Sequence, residues 1–143
     1  MDDLSAPAND LLDLVALVVR GVAGNRDLSL TAVATLASLD RRGAQRITTL
    51  ALAEGVSQPS MTQLVQRLEQ RGLVRRESDP ADGRVALVQL TDAGQAALRA
   101  RRQRNAERIA ELLRDLPEAD VQALKGALAT VLPAMRARIG SAN

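Results

Sequence analysis

The chain has 143 residues, with no cysteine, no histidine and no aromatic residue, and it carries 19 basic against 17 acidic side chains. The absence of cysteine excludes disulfides and thiol chemistry. The absence of histidine removes the side chain that most often serves as metal ligand and general base. No apolar run approaches the ~20 residues that a membrane span requires, and the acidic segment Met1–Asp10 does not resemble a signal peptide. We expect a single-domain cytoplasmic binding protein, without metal, cofactor or membrane partner, rather than an enzyme.

Charge is distributed unevenly along the chain. Residues 1–40 hold two arginines and six aspartates, for a net charge of −4. Residues 41–84 hold eight arginines and five acids, and residues 85–143 hold nine basic and six acidic residues, for +3 each. An acidic first part followed by a basic remainder is the pattern expected of a nucleic-acid-binding face in the middle of the chain.

The first predicted element is an apolar helix over residues 11–22, ended by Gly21 and Gly24. A helix that is apolar on most of its circumference has to be buried on two sides, and in so short a chain we expect the second side to contact another subunit. Ser29 is predicted to cap a second helix that Gly43 closes.

A helix-turn-helix is predicted next. Thr48 is expected to cap a short helix from Thr49 to Glu54, Gly55 turns the chain, and Ser57 caps a second helix that ends at Gly72. Within that second helix the predicted inward residues repeat at helical spacing and are Met61, Leu64, Val65 and Leu68.

After Gly72, the spacing of apolar residues changes from the helical period to the pattern typical of strands. Residues 73–77 and 85–90 predict a β-hairpin with a polar tip that contains Asp82-Gly83. Thr91 is expected to cap a long helix that runs to about Leu116, and a last helix starts at Glu118. Pro133 is expected to bend or loosen the final turns of that helix.

The second helix of the helix-turn-helix carries the candidate DNA-reading residues. Glutamine can bond adenine bidentately, and short hydroxyl side chains reach several base edges in the major groove. The assigned residues are Ser57, Gln58, Pro59, Ser60, Thr62, Gln63 and Arg67. The alternative interpretation is an ordinary capped surface helix.

The hairpin tip and several arginines complete the candidate site. Asp82 can hold the Arg84 guanidinium in an extended pose suited to a narrow minor groove, although a solvated turn with a surface ion pair is the alternative. Thr48, Arg75 and Arg76 are assigned to phosphate, where contacts set affinity but not sequence choice. Other phosphate candidates are Arg41, Arg42, Arg46, Arg67 and Arg71.

Four segments, in this order and spacing, resemble the MarR (multiple antibiotic resistance regulator) family. They are Val56-Ser57-Gln58-Pro59-Ser60-Met61-Thr62, residues 68–76, Asp79-Pro80-Ala81-Asp82-Gly83-Arg84, and Leu90-Thr91-Asp92-Ala93-Gly94. The resemblance covers nearly the whole chain. It implies a mainly α fold with a small β-hairpin wing, in which a winged helix-turn-helix over residues 29–91 is flanked by dimerisation helices over residues 1–26 and 92–143, all in one domain.

The resemblance also implies a function: a homodimer that places two recognition helices in successive major grooves of double-stranded DNA and represses transcription. Asp82 and Arg84 match the family's wing acid and minor-groove arginine. Many relatives carry arginine where this chain has Gln63. The family often responds to a small-molecule effector, commonly an aromatic or phenolic anion, but no aromatic side chain is present here to stack on such a ring.

One alternative function remains open. The chain is then a dimeric protein-interaction module that kept the winged-helix fold but lost sequence-specific DNA binding, as Gln63 and the acidic first part allow. An enzyme would need a pair of carboxylate or lysine side chains at a defined spacing, and the sequence contains no such pair.

Overall fold

Six helices and a small antiparallel sheet make up the structure, a computed structural model that describes residues 3–23 and 27–140. The elements in chain order are α1 (Ser5–Val22), α2 (Leu30–Arg42), β1 (Gln45–Arg46), α3 (Ile47–Glu54), α4 (Gln58–Gln70), β2 (Val74–Ser78), β3 (Ala86–Leu90), α5 (Asp92–Arg114) and α6 (Glu118–Gly140). The predicted fold class, a mainly helical winged helix-turn-helix, is confirmed. The chain divides into two compact units, residues 1–105 and 106–143.

The core of the first unit is aliphatic, as a chain without aromatic residues requires. It joins α2, α3 and α4 to the sheet, and its buried members are Ala32, Leu36, Leu39, Leu50, Ala51, Met61, Leu64, Val65, Leu68, Leu73, Val74 and Val88. The four residues of α4 that helical spacing predicted to face inward are all in this core. Because these side chains are removed from water on one side of α4, the opposite side is left for solvent or a partner.

Helix boundaries agree with the capping signals in most places. Ser29 Oγ accepts a hydrogen bond from the Ala32 N–H at 3.1 Å, so the predicted cap of α2 is confirmed. The predicted cap at Thr48 is wrong, since α3 already begins at Ile47 and Arg46 occupies its N-cap position without a side-chain capping bond. Gln45 and Arg46 pair with β3, and α3 begins at the next residue, Ile47. The strand pairing therefore fixes where α3 starts, without a capping side chain.

Of the two glycines predicted to end α1, Gly21 lies inside the helix, which runs to Val22, and Gly24 lies outside the described residues. Helix α6 runs from Glu118 to Gly140 and contains Pro133, and the bend or loosening expected there stays a prediction. None of the residues of α1 is buried, which leaves its apolar side chains exposed.

The sheet has three strands in the order β1-β3-β2, and β1 was not predicted. Strand β3 is central: Gln45 and Arg46 of β1 pair with Val88 and Leu87, and Val74 to Ser78 of β2 pair with Leu90 to Ala86. The hairpin of β2 and β3 is the predicted wing. At the base of the wing, β3 is therefore hydrogen-bonded to β2 on one side and to β1 on the other.

The start of α5 is hydrogen-bonded to the chain segment that follows α4. Thr91 Oγ1 donates to the Gly72 carbonyl at 2.6 Å and accepts from the Gly94 N–H at 3.0 Å, and the Thr91 N–H donates to the Leu73 carbonyl. Gly94 is buried in this joint, where a β-carbon would overlap the Leu73 carbonyl oxygen and lie 2.6 Å from Leu90 Cδ1. A side chain at position 94 therefore cannot be added without moving backbone.

Replacing Gly94 with alanine tests this joint. We expect Gly94→Ala to reduce the free energy of unfolding by about 1–3 kcal/mol, because overpacking against a backbone carbonyl forces the helix to shift. The measurement is urea denaturation followed by far-UV circular dichroism. The matched control is Gly126→Ala in α6, where a β-carbon meets nothing within 4 Å. Equal stability of Gly94→Ala and the wild type would contradict the proposed close approach.

Candidate nucleic-acid interface

Helix α4 begins with a well-formed N-terminus. Ser57 has extended backbone angles, and its Oγ accepts from the Ser60 N–H at 3.2 Å, so the predicted cap is confirmed. Pro59 lies in the first turn, where its missing N–H costs no helical hydrogen bond. Gly55 turns the chain between α3 and α4 with φ of 64°, a left-handed conformation that glycine adopts without steric cost.

The solvent side of α4 carries most of the predicted DNA-reading residues. Gln58, Pro59, Ser60, Gln63 and Arg67 are exposed, whereas Thr62 is half-buried. With 100° between successive residues, Pro59, Gln63, Gln66 and Gln70 fall on the side opposite the buried stripe. Thirteen residues give α4 a length of about 20 Å, and such a helix fits a major groove about 12 Å wide.

The hydroxyl groups of α4 are already used inside the helix, whereas its amides are not. Ser57 Oγ donates to Ser60 Oγ at 2.8 Å, and Thr62 Oγ1 donates to the Gln58 carbonyl at 2.9 Å. The side-chain amides of Gln58, Gln63 and Gln66 have no hydrogen-bond partner in the described part of the chain. Each amide is therefore free to donate to and accept from another molecule.

The wing tip presents the second predicted contact. Asp82 Oδ1 accepts from the Arg84 N–H at 3.1 Å and lies 3.5 Å from Arg84 Nε. The Arg84 side chain is 94% exposed. The predicted pairing of Asp82 with Arg84 is present, and the arginine extends into solvent with its charge available to an anion.

The predicted phosphate contacts occupy different settings. Thr48 is exposed in the first turn of α3. Arg75 Nε donates to Glu77 Oε1 at 2.8 Å and Arg75 Nη2 donates to Gln89 Oε1 at 3.0 Å. Arg76 Nε lies 3.3 Å from Glu69 Oε2 of α4. Both arginines remain partly accessible, and surface pairs of this kind contribute at most about 1 kcal/mol, so a phosphate can compete for either arginine.

One ion pair near this surface was not predicted. Arg46 donates from Nε and Nη2 to Asp79 Oδ2 at 3.0 and 2.6 Å, and Asp79 Oδ1 accepts from the Ala81 N–H at 2.9 Å. These bonds, first the one from Ala81 and then those from Arg46, hold the pKa of Asp79 below its ordinary value of 3.8. The sequence contains an acid before a proline in a turn, but nothing in it connects Asp79 to an arginine 33 positions earlier.

The described ranges contain neither a metal site nor a membrane-spanning helix. No group of three or more acidic side chains is arranged to hold a metal ion there. None of the helices described combines the length and apolar character needed to cross a membrane.

The MarR family model matches residues 28–86, which extend from just before α2 to the start of β3. A helix-turn-helix-type transcriptional regulator of Mycobacterium tuberculosis is 40% identical over 91 residues, covering 61% of this chain and 64% of that protein. The matched segment thus spans less than two thirds of the length of that relative.

Solved structures extend the similarity to nearly the whole chain. A transcriptional regulator of Thermotoga maritima superposes with a TM-score of 0.78 at 26% identity, over 96% of this chain and 99% of that one. A variant of MarR from E. coli has a TM-score of 0.65 at 25% identity, over 87% and 96% of the two chains.

The lowered pKa of Asp79 predicts a pH-dependent contribution to stability. Since the folded pKa lies below the unfolded one, the contribution is present above about pH 4 and is lost as pH falls through the folded value. We therefore expect Asp79→Asn to be less stable than wild type at pH 7, with a difference that shrinks toward pH 3.

Urea denaturation at pH 7, 5 and 3 measures this difference. Glu77→Gln removes an exposed carboxylate from β2, two residues before Asp79, and should change stability by less than about 1 kcal/mol at pH 7. A deficit of Asp79→Asn that stays constant over this pH range would contradict the assignment.

Proposed function

Because the chain belongs to the MarR family of transcription regulators, we propose that it binds a specific operator in double-stranded DNA as a homodimer and represses transcription. The observation that carries the proposal is the exposed side of α4, with its unpartnered glutamine amides opposite a buried apolar stripe. The side chains that would read DNA are Ser57, Gln58, Pro59, Ser60, Thr62, Gln63 and Arg67.

Sequence selection is assigned to the amides. A glutamine amide can donate to N7 and accept from N6 of the same adenine, whereas arginine is the usual partner of guanine. With Gln63 in the middle of the exposed side of α4, we propose that the half-site carries adenine at the base pair that Gln63 contacts. Arg67 lies one turn further along the helix and is better placed for backbone phosphate.

The wing and the phosphate contacts supply affinity. The exposed guanidinium of Arg84, oriented by Asp82, suits the electronegative minor groove beside the groove that α4 occupies. Thr48 lies at the start of α3, where helix N–H groups favour a phosphate. Arg75 and Arg76 would exchange their ion pairs with Glu77 and Glu69 for contacts with phosphate on binding.

Dimerisation is proposed from the exposed apolar surface of the terminal helices. Large apolar side chains of α1 are 36–59% exposed from Leu11 to Val19, apart from Leu12 at 67%, and α6 exposes Leu128, Val131, Leu132, Met135 and Ile139. Burying such side chains is favourable by about 25 cal/mol per Å². We therefore assign the helices within residues 1–26 and 92–143 to dimerisation through their apolar sides, and residues 29–91 to the DNA-binding lobe, within one functional domain.

A dimer also sets the form of the operator. Two identical recognition helices related by a two-fold axis read a pseudo-palindrome with half-sites about one helical turn apart. Family membership further supports a cytoplasmic regulator that a small-molecule effector releases from DNA. Any pocket for that effector is lined by aliphatic and polar side chains, because the chain has no aromatic residue.

Operator binding is the decisive prediction. We expect the protein to bind DNA upstream of its own gene in the presence of excess competitor DNA, with one dimer per site, as measured by fluorescence anisotropy at fixed salt. Arg84→Ala should raise the Kd by about 5- to 30-fold, equivalent to about 1–2 kcal/mol. The control, Arg99→Ala, removes an equal charge from α5, outside the residues proposed to contact DNA, and should raise the Kd by a smaller factor.

Two outcomes would contradict the proposal. Operator affinity unchanged by Arg84→Ala would remove the wing from the interface. Binding no tighter than to competitor, for both the upstream DNA and sequences selected from a random pool, would favour a protein-interaction module instead.

The homodimer is tested by sedimentation equilibrium at micromolar concentration, with detection at 230 nm because tryptophan and tyrosine are absent. We expect a dimer, and expect Val131→Glu to weaken it at least tenfold because a carboxylate buried without a partner is costly. Gln122→Glu makes the same charge change on an exposed position of α6 and should leave the dimer intact. A wild-type monomer under these conditions would overturn the dimer.

A further inference from the structure

The ion pair between Arg46 and Asp79 joins the two edges of the sheet. Arg46 lies on β1, and Asp79 follows β2 directly, so the pair spans the central strand β3 that separates them. Neighbouring strands are about 4.8 Å apart, and the two edge strands are therefore about 10 Å apart at their backbones. Only a long side chain such as arginine can make this connection.

The two ends of the connection lie in different parts of the fold. Arg46 is fixed at the base: its neighbour Gln45 is buried and donates to Ser38 Oγ of α2 at 3.1 Å, and Arg46 itself pairs with Leu87 and precedes the first residue of α3. Asp79 begins the wing loop, which runs from residue 79 to residue 85. The Arg46 side chain thus links the start of α3 directly to the first residue of the wing loop.

Asp79 also organises the loop that it begins. Its N–H donates to the Val85 carbonyl at 2.8 Å, and its Oδ1 accepts from the Ala81 N–H, while its Oδ2 receives both bonds from Arg46. Asp79 is 7% exposed, although it lies in a polar surface loop. Within the described residues, Arg46 is the one basic side chain that pairs with this carboxylate.

We propose that Arg46 and Asp79 are positioning residues that hold the wing at a fixed place relative to the helix-turn-helix, so that Arg84 and α4 engage adjacent grooves together. The pair acts through Arg84 and does not itself contact DNA. This inference rests on the proposed operator binding for its consequence, but the restraint on the wing exists in the free protein.

The charge of Asp79 makes the proposal distinguishable from a phosphate contact by Arg46. Asp79→Asn raises the net charge by one and frees Arg46, which would tighten DNA binding if Arg46 simply contacted phosphate. Asparagine can still accept from the Ala81 N–H through its amide oxygen, so the local turn keeps its bond, but its NH2 group then faces Arg46 and cannot accept, so the link to Arg46 is lost. A positioning role requires that this substitution weaken binding in spite of the added positive charge.

The test is a double-mutant cycle between Asp79→Asn and Arg84→Ala, measured as operator Kd at fixed salt. We expect Asp79→Asn alone to raise the Kd about 3- to 10-fold, and Arg84→Ala to lose most of its effect in that background, because a displaced wing no longer delivers Arg84 to the groove. Arg46→Met should behave like Asp79→Asn, and the two together should be no worse than either one. Equal effects of Arg84→Ala in both backgrounds, or tighter binding by Asp79→Asn, would overturn the proposal.

Glu77→Gln is the matched control. It raises the net charge equally, two residues before Asp79, on a carboxylate whose side chain is 45% exposed and bound to Arg75. The effect of Arg84→Ala should persist in full in this background.

Hydrogen–deuterium exchange of the free protein tests the restraint without DNA. Exchange across residues 79–85 should be faster in Asp79→Asn and Arg46→Met than in wild type and Glu77→Gln, by a larger factor than any increase in α2 and α4 that follows from lower global stability. Unchanged exchange of the wing would overturn the positioning role even if operator binding is confirmed. Faster wing exchange in a protein that binds no operator would instead contradict only the proposed function.

Discussion

Met61, Leu64, Val65 and Leu68 lie buried along one side of α4, and the rest of the DNA-binding unit depends on that burial. Their packing in one core with buried residues of α2, α3 and the sheet fixes the rotation of α4 about its axis, so the glutamine side chains cannot turn inward without exposing the apolar stripe. The N-cap at Ser57 and the left-handed Gly55 then fix where the helix starts and how it leaves α3. Which atoms reach a ligand is thus decided by the core.

The sheet connects this core to the wing. Central β3 carries the buried Val88 and pairs with both edge strands, while Thr91 and Gly94 lock the start of α5 onto the chain segment that follows α4. A hairpin alone is marginally stable in water, and this one gains its orientation from the elements at its base. The Arg46–Asp79 pair adds a charged restraint where the wing loop begins, one residue beyond the end of β2.

Polar groups in this unit fall into two classes with different functions. The hydroxyls of Ser57, Ser60 and Thr62 satisfy backbone or neighbouring groups and thereby stabilise α4, whereas the glutamine amides and Arg84 have little internal use. The Ser57 and Thr62 hydroxyls would have to give up an internal bond in order to donate to DNA, but a free amide only exchanges water for a base edge. Discrimination between base pairs is therefore better assigned to the amides than to the hydroxyls.

The sequence by itself determined the helix-turn-helix, the wing and the solvent side of α4, because these follow from local signals: apolar spacing of 3.6 residues, the caps at Ser29 and Ser57, and the polar turn at Asp82-Gly83. It also placed Asp82 beside Arg84, two residues apart. Only the tertiary structure decided that β1 exists, that Gly94 packs against the Leu73 carbonyl and that Arg46 binds Asp79. These contacts join residues 21 to 43 positions apart along the chain, and no local periodicity or turn signal encodes which distant segments meet.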